Sequence, residues 1–241
     1  MGDSDVLAGA RAALGRQLAG SRRAAGLSQE QLAPLSGYSR STIANITHAL
    51  MNSGHLDAAT TTASSLAADL DSNVTAHSPD SLSVYGSLLL RGAIAAAQRN
   101  DRQAAHGLLH EADDTGRRLG KDANLRWTAF GPTNVKMHRV HIAVTLGDAG
   151  TAIDTARTID LDRVEVTERK ASMLIDTARA FLHCGKHESA YFALRAGQDI
   201  APQEIADRPA VHQLLRDLIA VAPPSVRRQA DEFASQLGVT R

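Results

Sequence analysis

The sequence predicts an all-α protein, with three short helices in residues 1–50 and a row of helical hairpins in residues 51–241. Three observations predict it. Ala and Leu dominate the apolar residues while aromatics make up only 3% of the chain, a mix that favours closely packed helices over a β-sandwich. Apolar positions near the N-terminus (Leu7, Ala10, Leu14, Leu18) recur at helical spacing. Beyond residue 50, one pattern returns four times: an apolar helix, a short turn at Gly or Asn, then an Ala-rich helix.

Bulk properties bound what such a chain does. Its 241 residues are enough for one large domain or two smaller ones, each with a core. Hydrophobic residues are 43% and Gly plus Pro only 25 (18 and 7), a globular composition. The single Cys184 excludes an internal disulfide framework and fits a reducing compartment. The longest apolar stretch, near Leu88, is interrupted by Arg91 and Gly92, so no membrane span is expected. The opening MGDSDVLAGA carries two acids where a signal peptide needs a basic start, and the cytoplasm is the expected location. Formal net charge is zero. Residues 1–50 nevertheless hold five Arg against three acids, a net of +2 that leaves −2 for the rest and suits a DNA-facing N-terminus.

The first helix is expected to end at Gly26. Ser28 is a suitable N-cap for the second, with Gln31 three residues later completing a capping box, and Leu32 and Leu35 form its apolar face. Pro34 falls six residues after that cap and is expected to shorten or kink the helix. Gly37 supplies the positive φ of a tight turn, and Ser39 caps a third helix continued by Thr42, Ile43 and Ile46. The Ala33 and Gly37 pair lets the two helices approach closely.

The stretch 14–46 resembles the helix-turn-helix of the xenobiotic-response-element family, which includes the phage repressors. The resemblance implies that the third helix lies in the DNA major groove, with its first residues on bases and the Gln opening the preceding helix braced on the backbone. Matched position by position, Gln29 is that bracing residue. Behind the cap Ser39, which joins the DNA-binding set, Arg40, Ser41 and Asn45 fall on the base-facing side of the third helix, and Arg22 and Arg23 stand near the phosphates. Arg40 has the fork that suits guanine O6 and N7. The family usually continues with a Glu-x-Gly turn. Here the sequence is Thr47-His48-Ala49, so the match is truncated at about residue 50.

The four repeated segments have turns at Gly54, Asn100, Gly147 and Gly185, the last interval being the shortest. After each turn comes an Ala (Ala58, Ala104, Ala152, Ala190), small enough for the two helices of a hairpin to touch. Loops are expected at 71–82 and 120–135, and Pro202 is expected to end the last unit's helix. A closing helical pair should begin at Pro209 and break at Pro223-Pro224. The array resembles the tetratricopeptide repeat, which implies an α-solenoid, although its units are longer than that repeat usually allows and lack the leading Trp. With the N-terminal match, the segment WTAFGPTNVKMHRVHIAVTLGDAG resembles the repeat region of actinobacterial regulators that carry the same helix-turn-helix, in a shortened version.

Candidate chemistry outside the DNA-reading segment is sparse. His106 with His110, His183 with His187, and His138 with His141 fall at helical spacing, but none of these pairs sits in a His-Glu-x-x-His context, and no metal or cofactor is expected. Glu111, Asp113 and Asp114 with Arg117 and Arg118 read as a charged helix face. No nucleophile elbow or phosphate loop is present, so the protein is not expected to be an enzyme. Trp127 and Phe130 either anchor a loop between hairpins or floor a groove for an effector, with Asn134, Lys136 and Arg139 as its polar contacts.

These features together predict a DNA-binding transcriptional regulator. Its partners would be a double-stranded operator and a peptide, small-molecule or protein effector. The helical repeats would sense that effector or form a homodimer, with the apolar residues Leu214, Leu215, Leu218, Ile219, Phe233 and Leu237 as the expected interface. The alternative is a non-catalytic interaction scaffold whose helix-turn-helix is vestigial.

Overall fold

The computed structural model of the chain describes residues 51, 54, 56–61, 63–64, 78–125 and 128–239. The chain divides into two units, Met1–Ile46 and Thr47–Arg241, and the described residues all lie in the second. Every regular element among them is helical.

A helical segment at 56–61 precedes the first long helix, α1 (Pro79–Gln98). Ser78 caps α1 by accepting a hydrogen bond from the Ser81 amide at 3.2 Å, and Pro79 takes the first helical position, where its missing N–H costs nothing. The loop expected through residue 82 therefore ends earlier, at this cap. Asp101 caps α2 (Arg102–Leu119) through the Ala104 amide, and Gly120 closes it in the left-handed region at φ 73°. The connection to α3 (Pro132–Thr145) holds the fully buried Phe130, and Asp122 reaches across from it to accept from the Thr133 amide at 2.8 Å. Then follow α4 (Ala149–Ala156), a single 3-10 turn at Leu161–Arg163, α5 (Thr167–His183) and α6 (His187–Ile200). Pro202 does not merely end α6. It opens the short α7 (Pro202–Ala206), and two further prolines open α8 (Pro209–Val221) and α9 (Pro224–Gln236).

All four positions expected to be turns carry a positive φ. Gly54, Asn100, Gly147 and Gly185 have φ of 78°, 60°, 83° and 68°, a conformation that Gly adopts freely and Asn more readily than most residues. The small residues that follow are less regular. Ala152 and Ala190 are buried as expected, but Ala58 is exposed and Ala104 half-buried, and their neighbours Ala59 and Ala105 take the fully buried positions. The first two helices after a turn are thus rotated by one residue relative to the later two.

Packing runs between neighbours. α1 packs on α2 and α3, α3 on α4 and α5, α5 on α6, and α6 on α7, α8 and α9. The buried side chains fall into a matching series. Leu89, Leu109, Phe130 and Ile142 join α1, α2 and α3; Val140, Ile153 and Met173 join α3, α4 and α5; Ile175, Leu194, Leu215 and Phe233 join α5, α6, α8 and α9. Arg102 pairs with Asp148, tying the start of α2 to the α3–α4 turn. Leu214, Leu215, Leu218 and Phe233, expected at a dimer face, are 4% exposed or less. They form the core of this chain's own last helices, so they are not free to meet a second copy.

Candidate functional site

α1 and α5 both pack on α3, and between the three helices lies a cavity of about 290 Å³. Its polar lining comes from Arg91 of α1, Asn134, His138 and His141 of α3, and Glu168, Arg169, Ser172 and Asp176 of α5. Leu90, Ile94, Met137 and Met173 supply the apolar part, and Ser87 and Thr128 complete it.

Helical spacing puts these groups together. Asn134, His138 and His141 lie on one stripe of α3 at intervals of four and three residues, and Arg169, Ser172 and Asp176 on one stripe of α5 at three and four. Arg91 interrupts the apolar run from Leu88 to Ala97 on α1, with Leu88, Leu90 and Ala93 essentially buried around it.

Most polar groups in the cavity have partners. Arg169 donates from Nη1 to the Asn134 side-chain oxygen at 2.7 Å. His138 donates from Nδ1 to the Asn134 carbonyl at 2.9 Å, which leaves Nε2 as an acceptor. His141 meets Asp176 at 3.0 Å, and Arg179 meets the other oxygen of the same carboxylate at 3.3 Å. Glu168 accepts from Ser172 at 2.7 Å and from Arg208 at 2.8 Å. Burial alone would raise the Glu168 carboxyl, but these hydrogen bonds outweigh it and hold it below its ordinary value. Arg91 is the exception: among the described residues it has no hydrogen-bond or ion-pair partner.

The electrostatics follow from that imbalance. Burial, then the neighbouring Arg169 charge, pushes Arg91 below its ordinary pKa. Burial does the same to Arg169, partly offset by Glu168. His138 is held down to about 3, first by burial and then by the Arg169 guanidinium, with smaller repulsions from His141 and Arg91. The imidazole is therefore neutral at physiological pH.

The residues anticipated for an effector groove are scattered by the fold. Asn134 lines the cavity and orients Arg169. Phe130 is fully buried with its ring against Gly86 of α1, away from the cavity wall. Lys136 is exposed, and Arg139 stands 3.6 Å from Asp113 on α2. Trp127 lies outside the described residues, as do Gln29, Ser39, Arg40, Ser41, Asn45, Arg22, Arg23 and Pro34. The expected groove does not include Arg91 or Arg169. A signal for Arg91 is present in the sequence, as the lone charge in an apolar helix. Nothing local marks Arg169.

A family model described as a helix-turn-helix domain matches residues 13–47. That span contains all of Arg22, Arg23, Gln29, Ser39, Arg40, Ser41 and Asn45. The match points to a DNA-binding regulator. No curated protein and no solved structure matches the chain. Among the described residues, no helix is long and apolar enough to cross a membrane, and no three or more His, Cys, Asp or Glu side chains gather as a metal-holding group.

Proposed function

We propose that this protein is a cytoplasmic transcriptional regulator that acts by binding, without catalysis. In this reading its N-terminal segment is of the xenobiotic-response-element type and reads a double-stranded operator. The helix-turn-helix match over residues 13–47 is the observation that carries it. Arg40 contacts a guanine edge, Ser39, Ser41 and Asn45 flank it, and Gln29, Arg22 and Arg23 hold the backbone. The hairpins form a tetratricopeptide-like solenoid, a reading supported by the neighbour-to-neighbour packing and the positive-φ turns. That region senses an effector, and the protein works as a homodimer on paired half-sites.

Fluorescence anisotropy of the full chain tests this, using DNA from upstream of its own coding sequence and a random duplex, each across a salt series. Affinity for the upstream DNA should exceed that for the random duplex and fall with salt. Arg40→Ala should cost roughly 1–3 kcal/mol and relax the preference at one base position. Absence of binding to either duplex at low salt would refute DNA reading and leave the interaction-scaffold alternative.

A further inference from the structure

Arg91 is a permanent cation in a largely apolar helix, without a partner among the described residues, beside a second guanidinium whose only hydrogen-bond acceptors are neutral. Arg91 is half-buried, and a cation partly withdrawn from water without a counter-charge is costly. The nearby carboxylates do not repair this. Asp176 is engaged by His141 and Arg179, and Glu168 by Ser172 and Arg208. Among the charged groups that line the cavity, the Arg91 guanidinium is the one left without a partner among the described residues.

We propose that the cavity between α1, α3 and α5 binds a small oxyanion, a carboxylate or phosphate group seated on the guanidiniums of Arg91 and Arg169. This rests on the reading of the helical region as the sensing part, and names the class of its effector. Arginine suits the role because its planar fork matches both oxyanions, and hydrogen bonds between ionised groups are the strong ones. Asn134 positions Arg169 for it through the 2.7 Å bond. His138 adds a constraint. Its neutral Nε2 accepts but does not donate, so the site favours an anion that also carries a hydroxyl, such as a hydroxy acid or a hydrogen phosphate. A volume of about 290 Å³ sits at the small end of ligand pockets, which suits a compact anion.

The test is calorimetry and thermal melting of the full chain without DNA, with inorganic phosphate and with citrate, against sodium chloride at matched ionic strength. One of the two should bind and raise the melting temperature beyond the chloride control, and which one does so separates a phosphate from a carboxylate ligand. Arg91→Gln should weaken that binding by about tenfold or more, the effect of losing one charge-assisted contact. It should not lower the melting temperature of the unliganded protein, since it removes an unpaired charge. Should Arg91→Gln fail to fold, Arg169→Gln serves as the second variant with the same expected loss of binding. If neither anion outperforms chloride, or if a folded variant binds as tightly as the parent chain, the oxyanion site is refuted. Loss of DNA binding with anion binding intact would refute only the operator reading.

Discussion

His138 shows how much one residue's surroundings change its chemistry. In the unfolded chain its imidazole titrates near an ordinary value of about 6.5, whereas in the folded chain it is held down to about 3. Above the unfolded value both states are neutral and this side chain contributes nothing to pH dependence. As pH falls below it, the unfolded chain takes up a proton that the folded chain refuses, so stability falls. The loss at about pH 5 is on the order of 2 kcal/mol. Urea unfolding of the full chain near pH 7 and pH 5 should therefore show a smaller drop for His138→Gln than for the parent, by about that amount. Equal drops in the two proteins would mean that His138 is not held neutral. The sequence shows His138 as one of ten histidines, paired with His141 at helical spacing but with nothing to mark it as neutral. Its partner Asn134 is local, but its proton is held off first by burial among packed helices and then by the guanidinium of Arg169, on another helix. Arg91 is more legible, since a charge amid Leu88, Leu90 and Ala93 is an anomaly in the sequence itself. What it faces is not, because Arg169 lies four helices further along the chain.

At the scale of elements, helix ends are easier to read than helix faces. Gly54, Asn100, Gly147 and Gly185 mark turns because positive φ restricts the choice of residue, and that restriction is local. Ser78 and Pro79 carry the start of α1 in the same way, although the expected loop runs past them. Burial is harder: the periodicity that selects Ala58 and Ala104 serves Ala59 and Ala105 nearly as well, and only the neighbouring helix decides between them. Gly86 is a sharper case. A Cβ there would lie 2.0 Å from the end of the Phe130 ring, so α1 runs over an aromatic side chain that the whole of α2 separates from it in sequence. Gly86→Ala would force that fully buried ring to move and should cost about 1–3 kcal/mol, despite the better helix propensity of Ala. Unchanged thermal melting of this variant would show that the Phe130 loop yields freely.

For the molecule as a whole, paired half-sites require two reading heads, and linkage then makes the second contact effectively intramolecular. The full chain is expected to be a dimer in analytical ultracentrifugation at tens of micromolar, and a monomer at that concentration would sink the expectation. The apolar residues of the last helices, available for this purpose on sequence alone, are already buried in their own core. Large apolar side chains that do reach solvent include Phe192 and Val221, at 56% and 59% exposure. The order of packing, each helix against others no more than three places along the chain, has a kinetic side. Contacts close short loops, and the entropy lost in closing a loop grows with its length. Such a chain gathers its core piece by piece, without waiting for distant segments to meet, and topologies rich in local contacts fold quickly.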